Sequence, residues 1–119
     1  MAFKFENLRV WHQALDNSVA IYELSKQFPA DERFGLVSQI NRAADSVCLN
    51  IAEGSQGATN KQFSQFLGIA IRSGIEVVSC LFIAKSKEMI SEPDFKYHYD
   101  NLEKLIKMIQ ALRNTLGND

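Results

Sequence analysis

The chain contains few of the residues from which catalytic and metal sites are usually built. Its 119 residues include two cysteines, two histidines, two prolines and one tryptophan. Cys48 and Cys80 each lie among apolar residues and do not form a Cys-x-x-Cys motif. Free cysteine often packs as a small apolar side chain. We therefore expect two buried, reduced thiols, with a disulfide or a metal pair as the alternative.

Neither histidine is spaced for a di-iron site. Di-iron helical bundles use Glu-x-x-His motifs, which bring both ligands to one inner face of a helix. Here Arg9 precedes His12 by three residues, and Phe95 precedes His98. The sequence also has no Ser-His-Asp order and no glycine-rich phosphate loop with its lysine. These absences predict a protein that is not an enzyme and uses no cofactor or metal.

Charge of one sign and long apolar runs are also missing. Thirteen basic and fourteen acidic side chains give a net charge of -1, whereas proteins that bind nucleic acid non-specifically usually carry a basic excess. The longest apolar run, residues 75–84, contains Glu76 and is too short to span a bilayer. The first residues do not resemble a signal peptide. We expect one cytoplasmic domain, residues 1–119, without a membrane segment.

Helical periodicity is the strongest positive signal. Apolar residues recur three and four positions apart along residues 8–27, 31–53 and 59–88, and again from Phe95 to Leu116. No segment alternates as a strand would. Four helices with short connections predict an all-α, antiparallel up-down-up-down four-helix bundle. In the first helix, the main core stripe is expected at Leu8, Trp11, Leu15, Val19 and Tyr22. Val10, Ala14, Ile21 and Leu24 are expected to widen it. In the third helix, the core stripe is expected to include Phe82.

Capping residues and glycine predict where the helices begin and end. Asp31 is the expected cap of the second helix, and Gly54 is expected to close it in the left-handed conformation. Thr59 with Gln62, and Ser91 with Asp94, predict the starts of the third and fourth helices. Two phenylalanines precede the first helix. Phe3 and Phe5 are expected to pack either on the bundle or on a neighbouring subunit.

The second helix carries an ordered polar row beside its apolar face. At about 100° per residue, five residues align along one flank. They are Gln39, Arg42, Ser46, Asn50 and Glu53. A solvated face is one interpretation, and hydrogen bonding between helices or subunits is the other. Leu49 lies beside the row and away from the expected core, which favours a contact between subunits.

Glu76 is the only charged residue between Arg72 and Lys85. One interpretation is a partly solvated carboxylate at the edge of the bundle. The other is an ion pair with Arg42, because an unpaired charge in a core is strongly disfavoured. If the pair forms, Glu76→Ala should destabilise the fold by about 2–4 kcal/mol.

Basic side chains provide a separate hypothesis, direct contact with RNA or DNA. The residues concerned are Lys61, Arg72, Lys85, Lys87, Lys104 and Lys107. Acidic residues are interspersed among them, so ordinary solvated lysines are the simpler interpretation. A ring of copies could still strengthen a weak contact through avidity.

Several motifs resemble those of the 23S ribosomal RNA intervening sequence proteins. They are Arg42-Ala43-Ala44-x-Ser46, Asn50-Ile51-Ala52-Glu53-Gly54, Phe63-x-x-Phe66-Leu67 and Ser73-Gly74-x-Glu76, with Phe5-Glu6-Asn7-Leu8 near the start. The resemblance covers nearly the whole chain. It implies a small bacterial four-helix bundle without known enzymatic activity. Related accessory proteins of diversity-generating retroelements imply a homopentamer.

Two features depart from the family pattern. Ser73-Gly74 stands where Gly-Ser is frequent, and Gln62 and Gln65 stand where basic residues are frequent. We therefore predict a non-enzymatic oligomeric scaffold or accessory protein, pentameric by resemblance, for a protein or ribonucleoprotein partner. The alternative is a direct RNA- or DNA-binding module.

Overall fold

The computed structural model describes residues 2–117 and consists of helices. The four α-helices are α1 (Arg9–Ser25), α2 (Leu36–Ser55), α3 (Asn60–Ser86) and α4 (Glu92–Asn114). Short 3-10 helices, Lys4–Asn7 and Ala30–Glu32, precede α1 and α2. Within residues 2–117 there is no strand, so the all-α prediction with four helices is confirmed. The molecule measures 46 × 23 × 21 Å.

Each helix packs against two others. α1 contacts α2 and α4, and α3 contacts α2 and α4, whereas no contact between the described residues joins α1 to α3. The apolar core fills the space between the four helices. Its fully buried side chains include Ile21, Ile40, Ile51, Leu67, Leu81, Leu102, Leu105 and Ile109.

α1 buries the residues that were expected to widen its stripe, namely Val10, Ala14, Ile21 and Leu24, and exposes much of the main stripe itself. Leu15, Val19 and Tyr22 are 40%, 55% and 55% exposed. The buried stripe consists instead of Val10, Ala14, Asn17, Ile21 and Leu24. This stripe has ideal spacings of four and three residues, but a polar residue, Asn17, occupies its centre. α1 is therefore apolar on two faces, and only one of them meets the rest of the bundle.

Two helix boundaries differ from the prediction. Asp31 lies in the 3-10 helix and does not cap α2, which begins one turn later at Leu36. The Leu36 amide donates to Glu32 Oε1 over 3.2 Å, so the neighbouring carboxylate supplies the hydrogen bond expected of a cap. At the other end, Gly54 lies inside α2, and no described glycine has a positive φ.

The starts of α3 and α4 agree with the sequence. Thr59 Oγ1 accepts a hydrogen bond from the Gln62 amide at 3.1 Å, and Ser91 Oγ accepts one from the Asp94 amide at 3.2 Å. The Gln62 side chain does not complete the reciprocal bond to Thr59. Its Oε1 accepts from the Ala58 amide at 2.9 Å instead, which ties the preceding loop to α3.

Both cysteines are free and buried, as the apolar setting predicted. Burial, with a smaller contribution from Asp45, raises the pKa of Cys48 to about 11. Burial also raises the pKa of Cys80, and Glu76 adds to that effect. The thiols lie in separate parts of the core, so the disulfide alternative is wrong.

The N-terminal segment lies against the end of the bundle. The Phe5 ring is half-buried, and its centroid is 4.7 Å from that of Trp11. The Lys4 amide donates to Gln56 Oε1 at 2.8 Å, which links the segment to the end of α2. Phe3 stacks on Phe5 but stays 53% exposed. Phe5 therefore packs on its own bundle, and Phe3 covers it from outside.

α3 is the one described helix whose length and composition would suit a membrane crossing. Its most apolar 18-residue window has a mean hydropathy of 1.9, and 39% of that window is buried in the bundle. The prediction considered only residues 75–84 and missed this property of the whole helix. A core helix of a water-soluble protein can meet the same criterion, so the signal is weak on its own.

Glu88 occupies the left-handed position that ends α3. Its φ is 61°, and its amide donates to Lys85 O at 3.0 Å. The following amide, of Met89, donates to Ala84 O at 2.8 Å. These two bonds form a Schellman motif, whose left-handed residue is usually glycine because a Cβ is unfavourable there.

Glu88→Gly should therefore stabilise the fold. Removing the Cβ relieves the left-handed strain, which is about 1–2 kcal/mol, but part of this gain is offset by the greater freedom of glycine in the unfolded chain. We expect a net gain of about 0.5–1 kcal/mol in urea unfolding. Glu88→Ala is the control, because it removes the carboxylate but keeps the Cβ. An equal gain in both variants would contradict the strain argument.

His98 is a polar group buried in α4. Its side chain is 8% exposed, and Nδ1 has no hydrogen-bond partner within residues 2–117. Burial lowers the pKa of His98, and the nearby Asp94 opposes that shift only in part. The folded protein therefore holds a neutral imidazole at pH values where the unfolded chain binds a proton.

The free energy of unfolding should consequently fall as the pH drops below about 6.5, the ordinary pKa of histidine. The loss should level off once the pH is below the lowered pKa of the folded state. Urea unfolding of His98→Leu between pH 7.5 and 5 should show a flatter profile than the original protein. His12→Gln controls for the loss of a histidine, and an unchanged slope in His98→Leu would contradict the assignment.

Candidate functional site

A polar cleft of about 560 Å³ lies between α2 and α3. It is lined by Phe34, Gly35, Ser38, Gln39, Arg42, Ala43, Ser46, Ser73 and Glu76. Close contact elsewhere along the two helices positions its walls. A Cβ added to Gly54 would lie 2.6 Å from the Cβ of Phe66. Only glycine permits this approach, so Gly54 is needed for packing between helices and not for ending α2.

Hydroxyl and amide groups form the floor of the cleft. Ser46 Oγ and Ser73 Oγ are 2.8 Å apart, which joins α2 to α3 directly. Asn50 Nδ2 donates to the Ser46 carbonyl at 2.8 Å and to Ser46 Oγ at 3.0 Å. Because Ser46 Oγ already accepts from Asn50, its own hydrogen is free to reach Ser73. Ser46 therefore makes the contact between the helices, and Asn50 supports it from within α2.

The predicted ion pair between Arg42 and Glu76 is not formed. Glu76 is exposed, and within residues 2–117 its Oε2 accepts only one long hydrogen bond, from Gln39 Nε2 at 3.5 Å. Among residues 2–117, no carboxylate lies within 4.0 Å of the Arg42 guanidinium. Both side chains line the cleft at its wet rim, where water screens their attraction and pairing would restrict two long side chains.

The polar row of α2 thus divides into two groups. Ser46 and Asn50 are half-buried and bonded inside the bundle, with Gln39 reaching across to Glu76. The outward group comprises Arg42 and Glu53 of the row together with their neighbour Leu49, all of them exposed. Leu49 is 60% exposed, which agrees with its expected position away from the core. The outward group is the part of the row that is available to a partner.

Apolar side chains outside the core form two further surfaces. On α1 they are Leu15, Val19 and Tyr22, which we call the α1 face. On α3 they are Ile69, Ile75, Phe82 and Ile83, which we call the α3 face. Phe82 was expected in the core but is 48% exposed, because α3 is covered by neighbours only on its α2 and α4 sides. Ile69, Ile75 and Ile83 were not among the residues expected in the core of α3, and these apolar residues without a place in the core were the available signal.

The basic residues do not gather at one site. Lys85 pairs with Glu92 at 3.1 Å and lies 4.3 Å from the centroid of the Phe95 ring. Lys107 lies 3.8 Å from Glu103. Lys104 and Lys107 share a shallow groove with two acidic residues, Asp100 and Glu103. Lys61, Arg72 and Lys87 are exposed elsewhere along and just after α3.

No group of three histidine, cysteine or acidic side chains converges to hold a metal ion in the part of the chain that the structure describes. The arrangement that is present consists of a hydrogen-bonded cleft floor, a charged rim and two exposed apolar faces. Exposed apolar patches are the feature of this arrangement that is typical of interaction surfaces.

The fold and these surfaces define a small all-α protein of four helices with a polar cleft and exposed apolar faces. The chain belongs to the 23S rRNA-intervening sequence protein family, whose sequence model matches residues 6–111. This family has no established function, and no enzymatic class is indicated by the match.

A solved structure has the same fold. It is the crystal structure of a protein with unknown function from the S23 ribosomal protein family of Bacteroides thetaiotaomicron. The TM-score is 0.83 at 23% sequence identity, and the match covers 89% of this chain and 99% of that one. At this identity the similarity shows the fold alone. No curated protein matches the chain.

The position of Glu76 changes the expected effect of its removal. Because the carboxylate is exposed and makes only one long hydrogen bond, Glu76→Ala should alter the free energy of unfolding by no more than about 0.5 kcal/mol. Ser73→Val is the comparison, since it deprives the half-buried Ser46 hydroxyl of its partner and should destabilise by about 1–3 kcal/mol. A loss of 2 kcal/mol or more in Glu76→Ala would restore the ion-pair interpretation.

Proposed function

We propose that this protein is a non-enzymatic, homo-oligomeric scaffold or accessory protein that acts in the cytoplasm. The observation that carries the proposal is the second apolar face of α1. Leu15, Val19 and Tyr22 recur at intervals of four and three residues and are 40–55% exposed, although the opposite stripe of the same helix already fills the core. A helix needs one apolar face to fold into a bundle, and a second one favours association.

The bundle itself has up-down-up-down topology in this proposal. Contacts between α2 and α3 support it, because Gly54 approaches Phe66 near the start of α3 and Gln39 meets Glu76 further along. The end of α2 therefore lies beside the start of α3, and an earlier residue of α2 lies beside a later residue of α3, as in an antiparallel pair. α3 and α4 are antiparallel as well. Lys85 near the end of α3 contacts Glu92 at the start of α4, and Ser64 near the start of α3 contacts Arg113 near the end of α4.

The location of the two apolar faces supports a ring rather than a simple dimer. α1 and α3 do not contact each other within residues 2–117, so they occupy diagonal positions and their outer faces point in different directions. One isologous contact about a two-fold axis cannot cover both faces. A head-to-tail contact between the two faces can, and it gives a ring when the rotation closes. The family resemblance implies five subunits.

The outward group of α2, which borders the polar cleft through Arg42, is the proposed contact for a protein or ribonucleoprotein partner. Arg42 and Glu53 offer charges of both signs, and Leu49 offers an apolar anchor on the same exposed flank. This combination favours a protein surface over a bare phosphate backbone, which would call for a basic excess.

Light scattering after size exclusion tests the assembly. The subunit mass is 13.4 kDa, and we expect a mass close to five times that value. Val19→Lys and Ile83→Lys place a charge on the α1 and α3 faces and should each lower the mass, since both positions are at least 40% exposed and tolerate lysine in the fold. Ala111→Lys adds the same charge at an exposed position of α4 and should leave the mass unchanged.

A single subunit at the highest attainable concentration would contradict the proposal. The direct nucleic-acid alternative is checked on the same preparations, with a single-stranded RNA in a gel-shift assay at low salt. A shift that weakens steeply as salt rises would favour that alternative, because each neutralised phosphate releases counterions. The scaffold is expected to give no shift.

A further inference from the structure

We propose that Phe34 of one copy inserts into the cleft between α3 and α4 of a second copy, and that Arg33 then lies beside the second copy's Glu103. This inference rests on the homo-oligomer proposed above and names the contact that would join its subunits. It identifies a protruding ring, a matching apolar cavity and a pair of opposite charges, all of them in the same chain.

Phe34 is the protruding ring. Its side chain is 89% exposed, more than any other large apolar side chain in the described part of the protein. It is held in an ordered turn, since the next amide, of Gly35, donates to Glu32 O at 3.0 Å and the Leu36 amide donates to Glu32 Oε1 at 3.2 Å. A ring presented by a fixed turn loses little freedom on binding, which favours a role as an anchor.

The cavity that suits this ring lies between α3 and α4. It has a volume of about 250 Å³ and is lined by Ile75, Val78, Tyr99, Glu103, Ile106 and Lys107. An apolar cavity of about 150 Å³ is enough to bind benzene, so a phenyl ring fits with room for its Cβ. Ile75 at the mouth is 55% exposed and would be covered by the incoming ring.

Charges beside the ring and the cavity are complementary. The Arg33 guanidinium lies 5.3 Å from the centroid of the Phe34 ring, so it would arrive together with Phe34. Glu103 borders the cavity, and its distance of 3.8 Å from Lys107 Nζ is near the limit for an ion pair. Its carboxylate is therefore open to a second cation. Rim charges of this kind fix the register of a contact and steer its formation.

The ring and the cavity of a single chain do not meet. Phe34 borders the polar cleft between α2 and α3 and is not among the residues that line the cavity, which lies between α3 and α4. A second copy carries both partners in fixed stoichiometry. Because the two surfaces are different, each subunit can insert its Phe34 side chain into one neighbour and receive the Phe34 side chain of another. A closed ring of subunits requires this head-to-tail pattern.

A mixing experiment tests the contact directly. Phe34→Glu removes the ring but keeps the cavity, and Ile75→Lys blocks the cavity but keeps the ring. Both positions are more than half exposed, so both variants should fold, as far-UV circular dichroism would verify. Each variant alone should have the subunit mass of 13.4 kDa. A mixture of the two should form a one-to-one pair of twice that mass, because one intact ring meets one intact cavity.

Charge reversal provides a second measurement. Arg33→Glu and Glu103→Arg should each weaken assembly by about tenfold, and the double variant should regain most of that loss. Tyr97→Glu is the matched control, since Tyr97 is an aromatic residue that is 63% exposed and lies outside the cavity. It should leave the mass unchanged.

The outcomes separate this inference from the proposed function. If the original protein is an oligomer but Phe34→Glu keeps its full mass, the Phe34 contact is wrong and the scaffold proposal stands. If both variants are single subunits but their mixture does not pair, the contact is equally wrong. If the original protein is itself a single subunit, the scaffold proposal is wrong, and the Phe34 contact is wrong with it.

Discussion

The close approach of α2 and α3 is the constraint on which the rest of the structure depends. It is set by Gly54, which leaves room for Phe66, and by the hydroxyl contact of 2.8 Å between Ser46 and Ser73. These contacts hold the two helices in register, and the polar cleft opens above the Ser46–Ser73 contact. With α2 on one side and α4 on another, the outer side of α3 has no neighbour within the described chain. The cleft and the α3 face therefore have one structural origin.

The sequence was sufficient to predict the features that depend on neighbouring residues. Thr59 and Ser91 each bind an amide three positions away, so the starts of α3 and α4 are encoded locally. The sequence placed Val10, Ala14, Ile21 and Leu24 only beside the main stripe of α1, and their position at the centre of the buried face could not be predicted in this way. Asn17 interrupts the stripe that is actually buried, whereas the stripe through Leu15 and Val19 is entirely apolar. Which face of such a helix becomes buried depends on the helices around it.

In the candidate site too, the sequence predicted what depends on one helix and not what depends on the contact between two helices. Helical periodicity correctly placed Leu49 outside the core, because that position depends on a single helix. It could not show that Ser46 and Asn50 would bond inside the bundle while Arg42 would not, because that depends on how closely α3 approaches at each level. Gly54 is a related case. Glycine is suited both to a left-handed helix end and to a tight helix contact, and only the position of Phe66 distinguishes the two roles.

The packing of the N-terminal segment has a spectroscopic consequence. Trp11 is the only tryptophan of the chain, and its indole is half-buried beneath the Phe5 ring at a centroid distance of 4.7 Å. The intrinsic fluorescence of the protein therefore originates at the joint between this segment and α1. Detachment of the segment would wet the indole and shift its emission to longer wavelength while the helix content measured by circular dichroism stayed constant. The fluorophore thus reports on one local opening, separately from global melting.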